Sequence, residues 1–195
     1  LAKPGTVGRP IRGVRIDILD EEDKPCPPGT PGRIYTENEG PRVEYWKDPE
    51  KTRQSRRGNT MTLGDIGYLD EDGFLFLTGR QSETIISGGV NNYPAEVEDV
   101  LLGHPDVVDL AVIGVPDEEW GERVVAIVQP RIEPATAAAK TALENELLAY
   151  ARDHVASFKC PREIHFQSEL PRAENGKLYR RRLRDAYWQD SGRSI

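Results

Sequence analysis

Two runs, VVDLAVIGV (107–115) and ERVVAIVQP (122–130), constrain this chain more than any other feature. Both are continuous and rich in β-branched residues, whose stiff side chains suit the pleated, packed interior of a sheet, so both read as central strands. What surrounds them is helical. SETIISGGVNNYP reads as a strand and a glycine turn leading into a helix with Pro94 in its first turn. That helix, PAEVEDVLLGHP, places Val97, Val100 and Leu101 at i, i+3 and i+4 and meets a stop signal at Gly103. KTALENELLAYARDHV carries Leu143, Leu147, Ala151 and Val155 at four-residue steps, the stripe of an amphipathic helix. PATAAAK, just before it, reads as a short linker. PREIHFQ supplies another strand and YRRRLRDAYW a last helix. The alternation of strand and helix from residue 84 onward predicts an α+β domain of about 110 residues, a short central sheet flanked by helices.

Residues 12–80 read differently. Val14, Ile16 and Ile18 alternate as a half-buried strand does, EEDKPCPPGTPG supplies turn chemistry, and RIYT returns. Asp72-Gly73 lies between two apolar runs, a hairpin signal. Four or five short strands of this kind predict a small barrel or sandwich, a β-barrel-like subdomain.

Composition narrows the class. Of 195 residues, 37% are hydrophobic and 30% charged, no apolar run reaches membrane-spanning length, and the net charge of −7 would repel nucleic-acid phosphates. Cys26 and Cys160 are too few for a disulfide framework and form no CxxC pair. His104, His154 and His165 have no metal-ligand spacing, so no metal site is expected. A reducing cytoplasm is the expected compartment. LAKPGTVGRP has neither an initiator methionine nor the apolar core of a signal peptide, and the chain is read as part of a larger protein.

Three places could carry chemistry. Asp65 and Arg80 fall on the two arms of the expected hairpin. A carboxylate after a glycine can accept from two vicinal hydroxyls, and a planar guanidinium can neutralise phosphate or carboxylate; a turn aspartate and a solvated arginine are the plainer alternative. Gly88-Gly89 allows positive φ and close approach of backbone to a ligand, or simply makes a tight turn. Lys177 follows an Asn-Gly turn, from which an ammonium reaches an anionic centre with little constraint. Behind it, Leu183, Tyr187 and Tyr179 share one side of the last helix, which turns Arg181, Arg182 and Arg184 toward solvent. No GxGxxG or GxxxxGK[ST] loop is present to cradle a polyphosphate.

Three stretches in order, TLGDIGYLDEDGFLFLTGR, GRQSETIISGGVNNYPAEVEDVLLGHPDVVDLAVIGVPDEEWGERVVAIV and SFKCPREIHFQSELPRAENGKLYRRRLR, resemble the acyl-adenylate-forming enzymes. GTVGRPIRGVRIDILD and YWKDPEKT are similar to the acyl-CoA synthetase branch of that superfamily. The resemblance covers nearly the whole chain and implies a carboxy-terminal portion of an AMP-forming acid–thiol ligase. Residues 1–81 would be the last β-subdomain of the large domain. Residues 82–195 would be the mobile small domain, with its hinge at Ser82, where the family usually has aspartate or lysine.

The resemblance also implies the substrates: a carboxylic acid (fatty, aryl, sterol-derived or short), ATP with Mg2+, and CoA. By it, Asp65 grips the ribose hydroxyls, Arg80 serves the ribose and phosphate end, and Lys177 bridges the attacking carboxylate and the α-phosphate. Ser87, Gly88 and Gly89 would line the pantetheine tunnel, with Phe158 and Lys159 at the CoA nucleotide. Because the phosphate loop and acyl pocket of the family have no counterpart here, the chain alone is expected to be inactive. Two rivals stand beside this reading: an adenylation domain that loads a carrier-protein thiol, and a non-catalytic module that docks on a partner or binds nucleic acid through its basic end.

Overall fold

A computed structural model describes residues 3–40 and 42–189. The chain falls into two compact units, one ending at Ser82 and the other beginning at Glu83. Together they make an α+β protein. Among the described residues no helix is long and apolar enough to cross a membrane.

The first unit holds strands β1 (Val14–Leu19), β2 (Gly32–Asn38), β3 (Arg56–Arg57), β4 (Thr60–Met61), β5 (Asp65–Leu69) and β6 (Leu75–Arg80), with the short helix α1 (Pro49–Gln54) before β3. They form one antiparallel sheet in the order β3-β4-β2-β5-β6, with β1 paired along the whole of β2. The expected barrel does not close. No pairing joins β6 back to β3 or β1 among the described residues, and β3 and β4 are two residues each, too short to carry a sheet round on itself. Ile18, Ile34 and Leu75 form the packed centre, with Ile16 and Leu69 against them. Alternation in VRIDIL thus faces one side, as a half-buried strand must. Between β5 and β6 the turn is built by Asp70, whose Oδ1 accepts from the amides of Asp72 (3.0 Å) and Phe74 (2.9 Å), and by Gly73 at φ +76°.

The second unit comprises β7 (Ile85–Ser87), β8 (Val90–Asn92), α2 (Pro94–Leu101), β9 (Val107–Asp117), β10 (Gly121–Pro130), α3 (Ala137–His154), β11 (Glu163–Phe166) and α4 (Arg180–Trp188). β10 is the centre of the sheet. It pairs antiparallel with β9 along its length, antiparallel with β7 at Gly121, and parallel with β11 from Val125 to Val128.

Both long strands are buried on both faces, and successive residues go to different layers. Leu110, Val112, Val124, Ala126 and Val128 pack against α2 and α3, where Val97, Leu101, Leu147 and Ala151 meet them. Ala111, Ile113, Val115, Val125 and Ile127 pack on the other face against Leu170, Leu178, Leu183 and Tyr187. Unbroken apolar runs are the sequence signature of such double burial.

Two local expectations need correction. PATAAAK is no linker: Thr136 Oγ1 accepts from the Ala139 amide at 3.1 Å, and Ala137–Lys140 form the first turn of α3. In α2 the core side holds Val97 and Leu101 as expected, while Val100 is half-buried and Glu98 is buried in its stead.

Candidate functional site

In the first unit, Asp65 and Arg80 face each other across β5 and β6, and Arg80 Nε lies 3.3 Å from Asp65 Oδ1. An irregularity in the ladder between Ile66 and Gly67 separates this pair from the regular hairpin below it. Gly64, at φ +84°, turns the chain into β5, and its carbonyl accepts from the Gln81 amide at 2.8 Å. One carboxylate and one guanidinium are thereby held side by side at a sheet end, both partly open to solvent. Ser82 lies in the exposed 3-10 turn Gln81–Glu83 that follows.

In the second unit, Ser87-Gly88-Gly89-Val90 is a two-residue hairpin. Ser87 pairs with Val90, and Gly88 and Gly89 sit at φ +60° and +78°. Positive φ at both central positions defines a type I′ turn and explains the glycine pair. Gly88 carries a second constraint. Its amide donates to the Trp120 carbonyl at 2.8 Å, and a Cβ on it would lie 2.5 Å from the indole ring. Trp120 is in turn set by Asp117, whose Oδ1 accepts from the amides of Glu119 and Trp120 at 3.0 and 2.9 Å; these bonds hold the Asp117 carboxyl below its usual range. The Arg162 guanidinium lies over the indole, 5.1 Å from its centre.

Beside this hairpin is a cavity of about 280 Å³ lined by Ser87, Val124, Arg152, Ser157, Phe158, Cys160, Pro161 and Arg162. Phe158 is exposed in the 3-10 turn Ser157–Lys159. Lys159 lies beside it, with Nζ 5.8 Å from the Phe158 ring centre, and also forms an ion pair with Glu96 of α2. Arg152 and Arg162 are the cations at the cavity. Sequence reasoning missed them and Trp120; PDEEWG between two strand runs was the available signal for the tryptophan.

Lys177 is exposed on the far arm of a tight loop from Arg172 to Leu178, which bridge to each other. Within it the Ala173 amide donates to Lys177 O and the Gly176 amide to Ala173 O, both at 2.8 Å, and Gly176 adopts φ +81°. Leu178 then plugs into the layer beneath α4. The arginines behind the loop divide. Arg181 and Arg182 are solvated, as expected. Arg184 is not: its Nη2 donates to Glu122 at 3.2 Å and its guanidinium stacks on Trp188. Arg180 is held most firmly, through Nη2 to Glu98 Oε2 at 2.7 Å, a second bond to Glu98 Oε1, and Nε to Glu83 Oε2 at 3.0 Å. Burial disfavours its charge, but these carboxylates outweigh that and raise its pKa.

The chemistry-bearing groups of this unit therefore lie in different layers. Lys177 hangs from the layer containing Leu178 and Leu183, while the Arg152 cavity opens beside Val124 and Cys160 of the opposite layer. Residues 96–177 match the family described as AMP-binding enzyme C-terminal domain. Along 190 residues, 96% of this chain, the sequence is 40% identical to a fatty acid–[acyl-carrier-protein] ligase, ScoC, of Streptomyces coeruleorubidus. Along 184 residues, 94% of the chain, it is 44% identical to a 2-succinylbenzoate–CoA ligase of Geobacillus kaustophilus. Among solved structures it superposes on ATP-bound MatB from Rhodopseudomonas palustris with a TM-score of 0.83 and 34% identity, covering 97% of this chain and 37% of that one. The chain thus carries an AMP-binding enzyme C-terminal domain over residues 96–177, and along nearly its whole length it is similar to ligases of carboxylic acids with CoA or carrier protein. It spans about a third of the length of the relatives it matches, 35% and 36% for the two named.

Proposed function

We propose that this chain works as the carboxy-terminal part of an acyl-CoA synthetase that joins a carboxylic acid to CoA through an acyl-adenylate. The observation that carries the reading is the placement of Lys177 and of the glycine hairpin with its cationic cavity in opposite layers of one small domain. Two half-reactions need two faces, and a domain that rotates about Ser82 presents them in turn.

In the first half-reaction a carboxylate oxygen attacks the α-phosphorus of ATP and the bond to pyrophosphate breaks. Negative charge gathers on the phosphoryl oxygens, and the Lys177 ammonium stabilises it. Asp65 accepts from the two ribose hydroxyls, with Arg80 beside it at the ribose and phosphate end. In the second, the CoA thiol loses its proton, its sulfur attacks the acyl carbonyl, and AMP leaves. Gly88 and Gly89 let the thiol arm pass against backbone, and Phe158, Arg152 and Arg162 offer a ring and two cations to an adenine and its phosphates. Lys159, neutralised by Glu96, has the lesser part.

Magnesium accompanies ATP in this chemistry. His104, Asp106 and Glu146 cluster closely enough to hold an ion, but His104 Nδ1 accepts from the Asp106 amide at 3.3 Å and a nitrogen ligand suits magnesium poorly. No step is assigned to that cluster.

The relative from Streptomyces is a carrier-protein ligase by name, and a carrier thiol ends in the same pantetheine arm. The arginine-lined cavity favours free CoA, whose nucleotide a carrier lacks. The test joins this chain to the remaining length its relatives carry and offers free CoA and carrier protein in turn. Thioester formation with CoA that falls on removing Arg152 and Arg162 together supports the reading. Equal turnover of carrier protein, insensitive to both arginines, overturns it. The 195 residues alone are expected to make no adenylate.

A further inference from the structure

The loop that carries Lys177 is held by a side chain that the reaction itself does not use. Arg172 stands where the loop leaves the domain. Its Nε and Nη2 donate to Asp109 Oδ2 and Oδ1 at 2.8 and 2.6 Å, a two-bond fork onto the carboxylate, and its Nη1 donates to the Gly176 carbonyl at 2.7 Å. Asp109 lies in β9, paired in register with Gln129 of β10, and its Oδ1 also accepts from the Leu110 amide at 2.9 Å. One guanidinium thus joins the residue just before Lys177 to the central ladder of the sheet.

We propose that Arg172, anchored on Asp109, is the positioning residue for Lys177; the proposal rests on the role assigned to Lys177 above. Gly176 has no side chain to pack and adopts φ +81°. The other bonds within the loop, Ala173 to Lys177, Gly176 to Ala173 and Lys177 to Asn175 Oδ1, close the loop on itself, and Leu178 anchors only its far end. The fork is what ties Gly176, at the tip beside Lys177, to the sheet. A lysine at this site is a single point charge that lacks the planar five-donor geometry, so it cannot reproduce the fork onto Asp109 together with the bond to Gly176 from three separate nitrogens.

The test uses Arg172→Lys, Arg172→Gln and Asp109→Asn, and two readouts. The first is amide exchange of residues 175–179 in the chain itself. The clamp predicts roughly tenfold faster exchange in all three variants, with the amides of β9 and β10 unchanged. The second is ATP–pyrophosphate exchange, and thioester formation from preformed acyl-adenylate, in the protein carrying the full length of its relatives. Adenylation should lose roughly 10- to 100-fold in kcat with KM for ATP little changed, because a group is displaced and not removed. Thioester formation should be spared, and Asp109→Asn should add little on top of Arg172→Gln. Loss of both half-reactions together, or no change in either readout, overturns the proposal. Faster loop exchange in a protein whose unaltered form makes no adenylate leaves the clamp standing and refutes the ligase reading instead.

Discussion

Arg180 and Glu98 meet as a two-bond pair across 82 positions of chain, with 22% and 11% of their side chains exposed. Glu98 Oε1 also accepts from the Val112 amide at 2.7 Å, so the carboxylate joins α2, β9 and α4 at one point. Removing one member of a buried pair strands the other. Arg180→Ala should therefore destabilise the second unit by about 3 kcal/mol, at the low end for a buried pair because the guanidinium keeps some water. Replacing both, as Arg180→Met with Glu98→Leu, should cost less, roughly 1–3 kcal/mol, since neither charge of the pair is then stranded and the groups that lose a partner are the Val112 backbone and the part-exposed Glu83. Urea unfolding of the three proteins measures both; a double variant worse than Arg180→Ala would sink the account.

On the proposed function, Lys177→Ala in the protein carrying the full length of its relatives should lower adenylation by roughly 10²–10³-fold, the cost of losing one donor aimed at developing charge. Its exposed position and its absence from either packed layer mean that the melting temperature should not move. Thioester formation from a preformed adenylate should persist. Equal loss of both steps would show that the lysine does something other than the task assigned.

Legibility in the sequence followed physical rules that differ along the chain. β9 and β10 were readable because double burial leaves no polar alternation, and Pro94 and Asp72-Gly73 because a fixed φ or a positive φ has few residues to choose from. Asp65 and Arg80 could be placed together since a hairpin fixes its own register. Glu98 could not. Nothing local separates a buried glutamate from a solvated one when its partner lies 82 residues away, nor Arg180 and Arg184 from the solvated Arg181 and Arg182 between them. β8 was invisible as a strand because VNN has neither length nor period, and the PATAAAK turn hid its helix because alanine serves linkers and helices alike. Arg152 and Arg162 escaped since the cavity is assembled from four separated segments, and Trp120 because it meets Gly88 from a different strand connection.

Gly88 and Gly89 share a positive φ but not an environment, which makes them a matched pair for substitution. A Cβ at Gly89 meets nothing within 4 Å, so Gly89→Ala should cost only the left-handed backbone, roughly 1–2 kcal/mol. At Gly88 the same strain is joined by collision with Trp120, and overpacking adds about 1–3 kcal/mol. Thermal unfolding should rank the two in that order. On the proposed function, Gly88→Ala should also depress thioester formation more than adenylation; the reverse order in either measurement contradicts the turn's assignment.

Glu122 gives the fold a pH dependence of unusual sign for a carboxylate. It is half-buried at the start of β10, and that burial pushes its pKa up, against the opposing pull of Arg184 and the Ile86 amide. A folded pKa above the unfolded one means that the native state holds the proton more tightly. The associated stability is present below the unfolded glutamate pKa, near 4.3, and is lost as pH rises through the higher folded value. Glu122→Gln keeps an oxygen for Arg184 and carries no charge to bury. It should therefore be more stable than the unaltered chain at pH 7, and the advantage should shrink as pH falls toward 4. Asp117 has the opposite sign, with a lowered pKa whose contribution disappears under acid, and it is common to both proteins, so it cancels from the difference. Denaturant titrations of the two chains between pH 4 and 8 read the difference directly. An advantage that grows on acidification would mean that Arg184, and not burial, governs this carboxylate.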